Sequence, residues 1–295
     1  MKLSNYHKHL GDEVFFKEPC SPDKVYVSCI FEKNRAGALG SVLLFNCPVE
    51  VGGSGISLVT TLPPEVEHDM PDYDLYGTDY SLGFTSRGCI RSCPFCIVPK
   101  KEGPIRNNAS ISEFLDSRHE KVILLDNNFL ASPRWKENLK FLRENGLKVN
   151  FNQGLDIRLV DEENASLLAE TDYWNKSFKC RFLHFAWDLM DYESEVRKGI
   201  KVLNNAGIKG RNLMFYMLCG FNTSFRQDLY RFKVLRDLGV DPFVMVYNNR
   251  RDLPIIRHFA RWVNKRVYKK CTWGEYDYGK AQEVIKDWSG SEGSP

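Results

Sequence analysis

Cys89, Cys93 and Cys96 stand in the run Gly88-Cys-Ile-Arg-Ser-Cys-Pro-Phe-Cys96, a CxxxCxxC spacing. Thiolates are soft ligands that select iron–sulfur clusters or zinc. Three of them on one short loop can hold three irons of a cubane 4Fe–4S cluster, which leaves the fourth iron open to a small molecule. A structural zinc site normally takes a fourth protein ligand, and the closest later one, His119, follows a predicted helix. A zinc loop, or three incidental buried cysteines, are the competing explanations of the same spacing.

The elements that would position this loop alternate from about residue 80 onward. Apolar runs of strand length fall at 80–86, 122–125, 148–152, 182–187, 213–218 and 242–247. Helical patterns lie between them at 133–145, 162–170, 193–205 and 224–238, and Ser110-Ile-Ser-Glu113 has the form of a capping box opening a helix to about 118. Three helices run into glycine (Gly146, Gly207, Gly239) a few residues before a strand. Glycine there takes the left-handed conformation that stops a helix, and repeated short βα connections imply a parallel sheet. Spacing alone leaves a doubly wound sheet and a partial barrel both open.

In either case working residues gather where parallel strands end, and these ends are polar. They read Asp126-Asn-Asn128, Asn152-Gln-Gly-Leu-Asp156 with Arg158, Ala186-Trp-Asp188, Cys219-Gly-Phe-Asn222 and Tyr247-Asn-Asn249.

Composition narrows the classes. The chain has 295 residues, 43% of them apolar, nine cysteines and a net charge of +3. No run reaches the roughly 18 apolar residues of a membrane span, and the N-terminus lacks the apolar core of a signal peptide. Reduced thiols, metal ligation and a cytoplasmic location are therefore expected, with no membrane partner. From Arg250 to Lys270 eight Lys or Arg residues face one acid, Asp252, a local charge of +7. Arg257, Arg261 and Lys265 share one helix face, while Ile256, Phe259, Val263 and Val267 turn inward. Such a stretch is either a solvated face or a surface for nucleic acid.

The cysteine spacing, Phe95 before the last cysteine, and the lead-in Gly83-Phe-Thr-Ser-Arg-Gly88 resemble the cluster loop of radical S-adenosylmethionine (radical SAM) enzymes. The resemblance implies a partial (β/α)6 TIM-like barrel over 79–250, after a small α/β region at 1–78. A basic helical extension would follow at 251–288, then a disordered tail at 289–295. It further implies a 4Fe–4S cluster on Cys89, Cys93 and Cys96 whose open iron binds S-adenosylmethionine. One electron, from a donor such as flavodoxin or ferredoxin, would cleave the cofactor to a 5′-deoxyadenosyl radical that abstracts hydrogen from an unidentified substrate.

By the same resemblance Asp126, Asn127 and Asn128 replace the family's Gly-Gly-Glu at the methionyl amine. Phe95 packs on adenine, Gly220 belongs to the strand-five pattern beside it, and Asp188 faces ribose or amine. Arg158 holds a carboxylate, and Gln153 lies among the cofactor-contacting strand ends. Cys219 could donate a hydrogen atom. Residues 48–53 and the acidic stretch after them resemble a shortened cobalamin-binding domain, but the Asp-x-His-x-x-Gly ligand motif is absent and cobalamin is not expected. Cys20, Cys29 and Cys47 are too close together for the second cluster of methylthiotransferases. Two alternatives remain: a radical SAM methyltransferase or methylthiotransferase acting on RNA, and a non-catalytic zinc- or cluster-bearing nucleic-acid-binding protein.

Overall fold

The structure, a computed structural model, describes residues 1–16, 21–249 and 253–277. Cys20, Arg250, Arg251, Asp252 and the expected extension beyond 277 with its tail lie outside the described residues. The chain is mixed α/β with parallel sheets and divides into two compact units, Met1–Val149 and Asn150–Pro295.

In the first unit helix α1 (Lys2–His9) precedes strand β1 (Val25–Ser28), a helix at Arg35–Ser41 and strand β2 (Val49–Gly52). β1 and β2 pair in parallel from Val25↔Val49 to Ser28↔Gly52, so this region is a small βαβ unit. Next come β3 (Ser81–Gly83), β4 (Ser86–Arg87), β5 (Arg106–Asn107), β6 (Lys121–Leu124), α2 (Trp135–Glu144) and β7 (Lys148–Phe151). The sheet order is β3-β6-β7, with β3 and β6 parallel, and the chain leaves the first unit within β7. Val122, Ile123 and Leu124 are all buried, as consecutive apolar residues are when a parallel strand is covered on both faces.

Residues 80–86 do not form one strand. They break between β3 and β4, because the backbone N–H groups of Thr85 and Ser86 turn to the Asp126 carboxylate. The expected helix from Ser110 also ends early, at Phe114. Its capping box does not close: Ser110 Oγ pairs with Ser112 Oγ at 2.9 Å, and the Glu113 carboxylate is drawn to His68 at 2.8 Å.

The second unit holds α3 (Glu162–Glu170), β8 (Leu183–Ala186), α4 (Glu193–Asn205), β9 (Leu213–Cys219), α5 (Phe225–Asp237), β10 (Asp241–Val246) and α6 (Pro254–Asn264). Its sheet runs β10-β9-β8, parallel throughout. Capping boxes Asp161/Asn164 and Ser224/Gln227 start α3 and α5. Burial alternates along β9: Leu213, Phe215, Met217 and Cys219 are fully enclosed, whereas Met214, Tyr216 and Leu218 are part-buried. Phe232 on α5 meets Trp262 on α6 with ring centroids 4.8 Å apart. On α6 Ile256, Phe259 and Val263 are buried as expected, and Arg257, Arg261 and Lys265 are exposed. Among the described residues no helix is long and apolar enough to cross a membrane.

Candidate functional site

The candidate residues divide between the units. Cys89, Cys93, Cys96, Phe95, Asp126, Asn127 and Asn128 belong to the first; Gln153, Arg158, Asp188, Cys219 and Gly220 belong to the second.

The cysteines sit on a loop whose two ends are zipped by the antiparallel pairs Ser86↔Asn107 and Arg87↔Arg106. Gly88 opens it at φ +83°, and an added Cβ would come within 2.2 Å of the Pro104 carbonyl oxygen. Only glycine lets the two sides approach this closely. Inside the loop Cys96 N–H donates to the Cys93 carbonyl at 3.0 Å, closing a tight turn between the second and third cysteines. Cys89 Sγ accepts from Arg91 N–H at 3.3 Å and from Asn128 Nδ2 at 3.5 Å, and Cys96 Sγ accepts from Val98 N–H at 3.5 Å.

The end of β6 braces this loop residue by residue. The Asp126 carboxylate accepts from Thr85 N (3.1 Å), Thr85 Oγ1 (2.6 Å), Ser86 N (2.6 Å) and Ser86 Oγ (2.6 Å). Burial pushes the Asp126 carboxyl above its ordinary range, against the pull of those four donors. Asn127 Oδ1 accepts the Gly88 N–H at 3.0 Å, and Asn128 reaches Cys89 itself. Sequence reading singled out all three as cofactor contacts; the geometry gives them a visible second task, fixing the lead-in and the first cysteine.

Arg87 was missed as a brace. Its guanidinium pairs with Glu67 at 2.5 Å and Glu102 at 3.3 Å and donates to Asn108 at 3.2 Å, and it lies 4.1 Å from the Phe84 ring centroid. It therefore ties the strand before the loop to the helical turn after it. Nothing local in the sequence signals this, because its partners lie 20 and 15 residues away.

In the second unit, Arg158 is bidentate to Asp156 (2.6 and 2.9 Å) and stacks 4.5 Å over Tyr192. Gln153 is exposed, next to Gly154, which takes φ +81°. Gly220 is likewise left-handed (φ +80°) and buried. Asp188 accepts the Leu218 N–H at 2.9 Å, and burial raises its carboxyl. The β8–β9 ladder ends there: Trp187 N–H makes the last backbone bond, to Tyr216 at 2.8 Å. Beyond it Arg231, fully buried, takes over both carbonyls, donating to Trp187 and, at 2.7 Å, to Leu218, while pairing with Asp228 at 2.6 Å. Cys219 is fully enclosed, and burial with the nearby Asp228 charge pushes its thiol well up.

None of the eight described cysteines is in a disulfide. As thiols the three loop cysteines do not close on one point: among the described residues no three His, Cys, Asp or Glu side chains gather at metal-holding distance. The donor set nevertheless fits an iron–sulfur cluster. It offers three thiols on one loop, with N–H groups aimed at two of the sulfurs, the hydrogen bonds that stabilise anionic sulfur. No protein-family model matches the chain, and no curated protein matches it at a significant level.

Proposed function

We propose that the chain is a radical SAM enzyme in which Cys89, Cys93 and Cys96 hold a 4Fe–4S cluster and the six parallel-type strands form an open (β/α)6 barrel. The observation that carries this reading is the cysteine loop itself: three thiols at CxxxCxxC spacing, sulfur-directed N–H donors, and braces from the adjoining β6 end. Bound there, the cluster would supply one electron for reductive cleavage of S-adenosylmethionine. The protein's own part is to hold the lead-in and the first cysteine in place and to aim N–H groups at the sulfurs of Cys89 and Cys96. Asp126 and Asn127 do this through Thr85, Ser86 and Gly88, and Asn128 through Cys89. Asp188 offers a buried carboxyl at a strand end, chemistry suited to a ribose hydroxyl or an amine.

Anaerobic reconstitution tests the reading. The wild-type chain should take up about four irons and absorb broadly near 400 nm, and after reduction release 5′-deoxyadenosine from S-adenosylmethionine. Cys93→Ala should lose stable iron while Cys271→Ala keeps it. One zinc and no colour would sink the assignment in favour of a non-catalytic module; S-adenosylhomocysteine as product would favour a methyltransferase.

A second reading concerns partners. Arg257, Arg261 and Lys265 are exposed along one side of α6 and make no ion pair among the described residues. Unpaired cations in a row favour a polyanion such as RNA.

A further inference from the structure

The two faces of the β8-β9-β10 sheet differ in kind. One buries Phe185 against Phe215, stacked at 5.5 Å, with Leu183, Met217 and Cys219. The other carries His184, Tyr216 and Phe243, all part-buried. His184 and Tyr216 lie nearly parallel, 11° apart with centroids at 5.7 Å, and Phe243 stands at 87° to Tyr216 at the same distance. The register explains the row, since Phe243 pairs with Tyr216 and His184 sits one diagonal away. Three rings thus make a corner, two flat walls and one upright.

The polar tips of this corner are unused. Among the described residues neither the His184 imidazole nor the Tyr216 hydroxyl makes a hydrogen bond, and both side chains are only part-buried, so their tips are open to a ligand. Burial keeps the imidazole neutral and the phenol protonated. Each group can then both donate and accept. At the carboxyl end of the same strands lie Asp188 and the opened ladder beside Leu218.

We propose that this corner is the substrate site of the enzyme described above, and that it takes a planar, uncharged heterocycle with donors and acceptors on its edge, a nucleobase-type ring. Flat aromatic walls accept such a ring by stacking. The tips of His184 and Tyr216 read its edge, and Phe243 closes one side. An aliphatic substrate would leave both tips unpaired on binding.

This assignment rests on the radical SAM reading only for the word substrate, so its test needs no cluster. Uridine and guanosine are titrated into the full-length chain while histidine side-chain NMR signals are followed, the His184 signal being identified with His184→Gln. Saturable shifts of that signal are expected. Tyr216→Ala should weaken binding by about tenfold, the usual worth of one aromatic–base stack. Tyr216→Phe, which keeps the ring, should lose less, and Lys198→Gln on the exposed side of α4 should change nothing. No shift with either nucleoside, or wild-type affinity in both His184→Gln and Tyr216→Phe as measured by titration calorimetry, overturns the site while leaving the iron and 5′-deoxyadenosine results standing. Stoichiometric displacement of both nucleosides by S-adenosylmethionine overturns the substrate assignment, because the corner would then belong to the cofactor.

Discussion

Asp126 illustrates how one side chain can carry a site it does not chemically define. Its carboxylate gathers two backbone N–H groups and two hydroxyls from Thr85 and Ser86, directly before the first cysteine. Asp126→Ala would leave buried donors unpaired, at a cost of about 3 kcal/mol, since each orphaned group costs roughly 1–3 kcal/mol. Chemical denaturation should show that loss, and the reconstituted variant should hold less iron than wild type though all three cysteines remain. Unchanged iron and stability would mean that β6 does not brace the loop. The cysteines were legible from sequence because ligand spacing is local. Arg87 was not, because a brace is defined by where Glu67 and Glu102 arrive, and nothing near Arg87 records that.

At the scale of elements, local signals worked where they needed only neighbouring residues. Gly146, Gly207 and Gly239 all take positive φ at helix ends (61°, 95° and 73°). All six expected strands appear, the first of them split. Ser110 failed as a capping box because Glu113, whose side chain should reach back, is held by His68. Helix α6 is two-faced as expected as far as Asn264, with Ile256, Phe259 and Val263 buried and Arg257 and Arg261 outside. It stops there, so Lys265 caps it and Val267 falls in a separate, part-buried turn. If that outer face binds RNA, affinity should fall steeply with salt as phosphates release counterions. Changing Arg257, Arg261 and Lys265 together to Gln should flatten the slope by up to about three units without altering thermal stability. A wild-type chain that ignores tRNA at low salt would make the face merely solvated.

The whole molecule should carry a pH signature traceable to its buried groups. Burial lowers the His184 pKa, so the native state holds that imidazole neutral. The unfolded chain binds the proton more readily, with an ordinary value of about 6.5. Stability contributed by neutral His184 is therefore full above that value and declines as pH falls through it. Thermal midpoints measured from neutral to mildly acidic pH should drop less in His184→Gln than in wild type. Identical slopes would show that the imidazole is not shielded. Finally, the contacts described above for the cysteine loop, from Glu67 to Asn128, all precede Val149. A ribosome working from the N-terminus therefore releases the loop with these braces before the second unit has been made. The order of synthesis favours early metal insertion, and it also means that the bare thiols face dissolved oxygen for as long as the rest of the chain takes to emerge.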